Sequence, residues 1–166
     1  MSIKYIKGNL FQLASVPASN PLYLAHACNC LGIWGGGIAA EFKRQFASTF
    51  KVYNQHCLEH KARPENLLGT ALIIPVSHHD RGFVPGTGEK LSVVCLFTSI
   101  MGQESSEEIA EYTRLALNDL KRQLDESKHK YTVAMPKINA GIFGVPWNLT
   151  EQAIKQTGID CIVYEL

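Results

Sequence analysis

Gly35, Gly36 and Gly37 stand immediately before a helix-forming segment, a combination suited to holding an anion or a sugar. A backbone without Cβ atoms can turn sharply and come close to a ligand. The helix start adds unpaired N–H groups and a partial positive charge. A second run, Ile138, Asn139, Ala140, Gly141, Ile142, Phe143 and Gly144, leads into Val145-Pro146-Trp147 and repeats the logic with apolar residues between its glycines. Such a loop turns its backbone to a ligand while its side chains pack away or cover a sugar ring. Two loops of this kind can grip a pyrophosphate from both sides. Neither has the Lys-Ser/Thr ending of a P-loop or the glycine spacing of a Rossmann fingerprint, and each alone also reads as a tight turn.

Reactive side chains gather near the first loop. His26 ends an apolar run, and imidazole titrates close to neutral pH, as a general base or water-orienting group requires. The same residue equally suits a buried, hydrogen-bonded histidine that shapes the loop. Asn29 offers both donor and acceptor groups. Cys28 and Cys30 are nucleophiles only if a thiolate is stabilised, and a thiol without a partner is inert. Trp34, between Gly32 and Gly35, is placed to stack on a ligand or to roof the loop. His78-His79-Asp80 reads as the polar tip of an exposed loop, and no metal site or cofactor is expected.

The elements that must position these residues follow from pattern. Ile3 and Tyr5 alternate with lysines in a first strand ended by Gly8-Asn9, and residues 22–25 form a buried strand that ends at His26. Ile38, Phe42 and Phe46 recur at helical spacing, and residues 50–60 continue as a second helical piece. Residues 70–76 and 91–98 carry the strongest strand signals, with an exposed loop between them. Ser105 and Glu108 have capping-box spacing ahead of the apolar face of Ile109, Tyr112, Ala116, Leu120 and Leu124. Residues 131–135 form a strand, Asn148 and Glu151 flank a second capping-box pattern, and residues 161–164 close the chain as a strand. Strands alternating with helices predict an α/β domain with a mixed sheet between helical layers. Ligands in such sheets lie beyond the carboxyl ends of strands, and both glycine loops fall there.

Composition sets the outer bounds. The 166 residues fit a single domain spanning 1–166, and 46% apolar with 19% charged residues is a foldable balance. A net charge of +1 argues against a broad footprint for duplex nucleic acid. Five cysteines lack the paired spacing of structural zinc, and no apolar run approaches the ~20 residues of a spanning helix. A reducing compartment, cytoplasmic or nuclear, a monomer and no membrane contact are the resulting expectations.

Order and flanks together resemble the macrodomain superfamily over nearly the whole chain. Its common Gly-Asp-Ile, Asn-Ala-Ala-Asn and Gly-Gly-Gly-Val-Ala segments read here Gly8-Asn9-Leu10, His26-Ala27-Cys28-Asn29 and Gly35-Gly36-Gly37-Ile38-Ala39. His26, Cys28-Asn29-Cys30, Trp34 and the Gly-Ile-Phe-Gly-Val-Pro-Trp run are most similar to the fungal ADP-ribose 1″-phosphate phosphatase family. The resemblance implies a three-layer α/β/α sandwich with a mixed sheet of about six strands. It puts Asn9 and Leu10 near an adenine, with Tyr164 and Leu166 completing that end, and it gives Asn29 the distal ribose. Residues 35–39 would wrap the distal ribose and diphosphate, Asn139 and its loop would meet the diphosphate from the other side, and Phe143 would shield the sugar. Asn9 replaces the usual acidic residue. A related branch that removes ADP-ribose from proteins uses a Lys and an Asp where Ser99 and Phe143 stand, which disfavours that mechanism.

The resemblance implies hydrolysis of ADP-ribose 1″-phosphate to ADP-ribose and phosphate, a clean-up step for a by-product of tRNA splicing, with His26 as base or water orienter beside Asn29. Removal of ADP-ribose from proteins and non-catalytic ADP-ribose binding are the alternative readings.

Overall fold

Alternating apolar runs and amphipathic segments build one six-stranded sheet flanked by helices in the computed structural model, which describes residues 2–166. The strands are β1 (Ile3–Lys7), β2 (Leu22–Asn29), β3 (Ala71–Pro75), β4 (Leu91–Ser99), β5 (Thr132–Pro136) and β6 (Cys161–Glu165). The helices are α1 (Gly37–Gln45), α2 (Ala47–Glu59), α3 (Ser106–Asp125) and α4 (Trp147–Thr157).

The strands lie in the order β1-β6-β5-β2-β4-β3, all pairs parallel except β3 with β4. The sheet is therefore mixed, as the sequence predicts. Strand alternation sorts side chains between two cores. Leu22, Leu24 and Cys28 of β2 join Val93, Cys95 and Phe97 of β4 beneath Phe42 of α1, Phe46 at the junction of the two helices and Tyr53 of α2. Ala25, Val94 and Leu96 face the other way, against Leu117 and Leu120 of α3 and Ile154 of α4. Each fully buried Leu, Val or Phe in these layers contributes about 1.5–3 kcal/mol relative to exposure.

Two caps differ in outcome. Ser105 accepts from the Glu108 amide while the Glu108 carboxylate accepts from the Ser105 amide, the reciprocal cap that the spacing predicts. The second expected capping box does not form. α4 begins at Trp147 behind Pro146, so Asn148 already lies within the first turn rather than at the cap, and no side chain caps the helix.

β2 also runs past the boundary expected at His26 and on to Asn29. Its continuation leads to α1 and α2 on one face, whereas the adjacent β5 leads to α4 on the other. Connections that part to opposite faces leave a crevice beyond the carboxyl ends of β2 and β5, the usual position of a ligand in an open sheet.

Candidate functional site

A cleft of about 460 Å³ occupies that crevice. Ala27, Cys28 and Asn29 of β2 and Pro136, Lys137 and Ile138 at the end of β5 form its two sides. Gly35, Gly36, Gly37, Ile38 and Ala39 supply one loop, and Asn139, Gly141, Ile142 and Phe143 the other.

Asn29 organises the first loop. Its Oδ1 accepts from the amides of Leu31 at 3.1 Å and Ile33 at 3.2 Å, and its Nδ2 donates to the Ile33 carbonyl at 2.7 Å. An amide nitrogen carries two hydrogens, so one donor remains for a ligand. The loop then delivers Gly36 as the N-cap of α1, with no side chain satisfying the first-turn amides. Those N–H groups and the helix dipole give the cleft its anion-binding character. Gly37 adopts φ +58°, a conformation that glycine takes without strain.

Asn139 anchors the second loop from below. The residue is buried at φ +67°; its Oδ1 accepts from Thr98 Oγ1 at 2.8 Å, and its Nδ2 donates to Thr113 at 2.8 Å and Thr150 at 3.3 Å. β4, α3 and α4 thus converge on one side chain, while its carbonyl accepts from the Val145 amide at 2.9 Å. This amide works inside the protein and presents backbone to the cleft. Ile142 is 77% exposed, and its Cδ1 lies 3.6 Å from where a Cβ on Gly36 would stand. The loop tip therefore reaches across the cleft to the glycines opposite. Phe143 lines the wall near Gly102.

Several expected positions lie outside the lining of this cleft or are turned away from it. His26 is 0% exposed and does not border the cleft, because the strand continues beyond it. Its ring stacks on Phe42 with centroids 4.1 Å apart and meets Trp34 edge-on at 4.8 Å. It packs beneath the floor of the cleft. Trp34 borders the cleft, but at 2% exposure its ring stacks on Tyr53 at 4.8 Å rather than on a ligand. Asn9 caps a short 3-10 turn by accepting from the Phe11 amide, Leu10 is buried in the core, and neither borders the cleft. Tyr164 and the exposed Leu166 also lie outside its walls, as do the exposed Ala140 and Gly144.

The fold also gathers residues that the sequence reading missed. Ile33, Met101, Pro136 and Lys137 border the cleft. Pro136 and Lys137 were findable, as they directly precede a glycine loop at a strand end. Met101 arrives only through the pairing of β4 with β2, in a turn held by Ser99, whose buried hydroxyl accepts from the Gly102 amide and donates to Glu104.

Beneath the floor, His26, Cys28 and Cys95 bring ligand atoms within 4.8 Å of one another, the donor set of a soft or borderline cation. Register explains it, since His26 pairs with Cys95 and Cys28 shares the same sheet face. Cys28 Sγ lies 3.5 Å from His26 Nε2 and 3.8 Å from Nδ1, out of line with either lone pair. Holding an ion would require the imidazole to turn against its stack on Phe42. Burial pushes the Cys28 thiol up, but the Cys95 thiol and the His26 imidazole outweigh it and the net direction is down. Cys95, buried beside it, is driven well up.

Fold and site together define an α/β domain with an amide-rimmed, anion-accepting cleft at the switch point of its sheet. The chain belongs to the macro domain family, whose model matches residues 25–154. It is 42% identical over 172 aligned positions to a protein named ADP-ribose 1″-phosphate phosphatase from Scheffersomyces stipitis, covering 98% of each chain. A Debaryomyces hansenii protein of the same name is 44% identical, with 93% of each chain covered. Among solved structures, the macrodomain of Mycobacterium tuberculosis DarG has the same fold, with a TM-score of 0.72 at 22% identity over 99% of this chain and 98% of that one. Thermosipho africanus DarTG in complex with ADP-ribose superimposes with a TM-score of 0.69 at 17% identity, over 97% of this chain and 41% of its own.

Proposed function

We propose that this protein hydrolyses ADP-ribose 1″-phosphate to ADP-ribose and phosphate. The observation that carries the reading is identity of 40–44% along nearly the whole chain to several proteins named for that reaction. The cleft is compatible with it: two loops offer backbone amides at opposite sides, and apolar Ile142 and Phe143 border the space for a sugar. Among the described residues that line it, none is a histidine, aspartate or glutamate. Phosphoryl transfer rests largely on positioning and on holding charge, which amides at a helix start can supply. Water attacks phosphorus as the bond to the anomeric oxygen breaks, and the remaining Asn29 N–H is a donor within the site. The sequence resemblance puts Ser99 and Phe143 at the positions that hold a Lys and an Asp in a related branch removing ADP-ribose from proteins, which favours the phosphatase reading. A place in clearing a tRNA-splicing by-product, a monomeric state and a cytoplasmic or nuclear location belong to the same proposal; five free, buried cysteines suit a reducing compartment.

Incubation of the purified protein with ADP-ribose 1″-phosphate and with ADP-ribosylated protein tests the reading. Phosphate release from the nucleotide alone is expected. Tight ADP-ribose binding with no turnover of either substrate would overturn it in favour of a reader module.

A further inference from the structure

We propose that Lys137 is the specificity-determining cation of the cleft, its ammonium leaving Glu165 to close on the diphosphate of the bound nucleotide. The inference rests on the nucleotide reading above and adds a residue to it.

Among the described residues that line the cleft, Lys137 is the one cationic side chain, and no Arg, His, Asp or Glu accompanies it. A nucleotide diphosphate brings a negative charge on each phosphate, and helix-start amides answer it with partial charges only. A full positive charge at the wall therefore decides between charged and uncharged ligands of similar shape. Topology places it there. β5 and β6 pair in parallel with Pro136 beside Tyr164, so the residues that follow, Lys137 and Glu165, emerge together at the strand ends. Lys137 Nζ lies 3.4 Å from Glu165 Oε2, with the two side chains 38% and 32% exposed, and 5.9 Å from the centre of the Trp147 ring.

That pair is a weak tether. Water screens a half-exposed ion pair, and such pairs hold their partners loosely. A phosphate in a walled cleft offers the same ammonium a shorter, charge-assisted bond with less competition from water. The diphosphate, rather than a phosphate at the far end of the ligand, is the matching group. Lys137 begins the second loop, whose Ile142 meets Gly36 and Gly37 across the cleft, so a diphosphate held between the loops passes its base. Asn29, Ile33 and Met101 mark the opposite end, beyond β2 and β4.

Calorimetric titration of the full chain with ADP-ribose and with ADP-ribose 1″-phosphate, each at low and high salt, tests the proposal. Lys137→Met is expected to weaken both nucleotides by about tenfold and to flatten the salt dependence, as loss of one charge-assisted contact does. Lys137→Arg should keep most of the affinity, and Glu165→Gln should match or exceed the wild type, because it frees the ammonium. Equal weakening by Lys137→Met and Glu165→Gln would show a clasp between strands and overturn the proposal. So would an unchanged affinity, or a loss confined to the 1″-phosphorylated nucleotide. A wild-type protein that binds ADP-ribose but releases no phosphate sinks the phosphatase reading and leaves the Lys137 result standing. Binding of neither nucleotide overturns both.

Discussion

The Tyr53 hydroxyl lies 2.8 Å from both the backbone oxygen and the side-chain oxygen of Asn29, joining the middle of α2 to the last residue of β2. The same side-chain oxygen orders the amides of Leu31 and Ile33, so one phenol sits behind the whole approach to the glycine loop. Tyr53→Phe keeps the ring against Trp34 and removes only the donor. The variant should lose about 1–2 kcal/mol of stability, in line with deletion of a buried hydrogen-bonding group. Affinity for ADP-ribose should fall as well, because the loop loses its anchor. Urea unfolding and nucleotide titration read the two effects, and a stability loss with unchanged affinity would show that the loop holds its shape without Tyr53.

His26 yields a prediction that separates shape from proton transfer. Stacked on Phe42 and edge-on to Trp34, it fills space that an apolar ring can also fill. His26→Ala should cost about 3–5 kcal/mol, as large-to-small changes at buried rings do. His26→Phe should fold and retain turnover, with its dependence on pH unaltered. Phosphate-release kinetics across pH decide the matter. A stable His26→Phe protein without activity would restore the imidazole to the chemistry.

What the sequence disclosed, and what it withheld, divides along physical lines. Glycine runs before helices and at strand ends are local signals, and both loops stand where those signals put them. The α3 cap was equally legible, since Ser105 and Glu108 bond within one turn. Contacts made through sheet register were not. Cys95 meets His26 only because β4 pairs with β2, and Met101 reaches the cleft by the same route. Asn139 lines the cleft where its place in the loop puts it, but the bonds of its side chain to Thr98, Thr113 and Thr150 join distant positions that no spacing rule connects. The end of β2 differs from the pattern for a simpler reason. A first polar residue reads as a strand end, although a histidine packed between aromatic rings extends a buried strand as well as an apolar residue does.

Tyr5 supplies a signature at high pH. Burial first, and then its hydrogen bond to the Glu151 carboxylate, raise its phenol from 10.0 to about 12. The folded chain therefore keeps a proton that the unfolded chain releases above pH 10, so this contribution to stability is present below pH 10 and is lost as pH rises toward 12. Trp147 Nε1 donates to the same hydroxyl at 3.0 Å, which ties β1 to the start of α4 just behind the second loop. Thermal unfolding measured from pH 9 to pH 12 should fall less steeply for Tyr5→Phe than for the wild type. Parallel curves would mean that Tyr5 titrates alike in both states.

Gly36 and Gly37 are neighbours with different reasons for being glycine, and two alanine variants should tell them apart. At Gly37 the backbone sits at φ +58°, where an L-residue costs about 1–2 kcal/mol. Gly36, at φ −155°, is extended backbone that any residue adopts. A Cβ would stand 3.8 Å from Ile142 Cδ1 at Gly37 and 3.6 Å at Gly36, ordinary contact in both cases. Gly37→Ala should therefore lower the melting temperature, and Gly36→Ala should leave it close to wild type. The methyl of Gly36→Ala nevertheless projects toward Ile142, into the gap between the two loops, so ADP-ribose affinity should drop in a protein of normal stability. Melting curves and titrations on the pair decide it. If Gly36→Ala binds as the wild type does, Ile142 yields freely and the gap between the loops is not what limits the ligand.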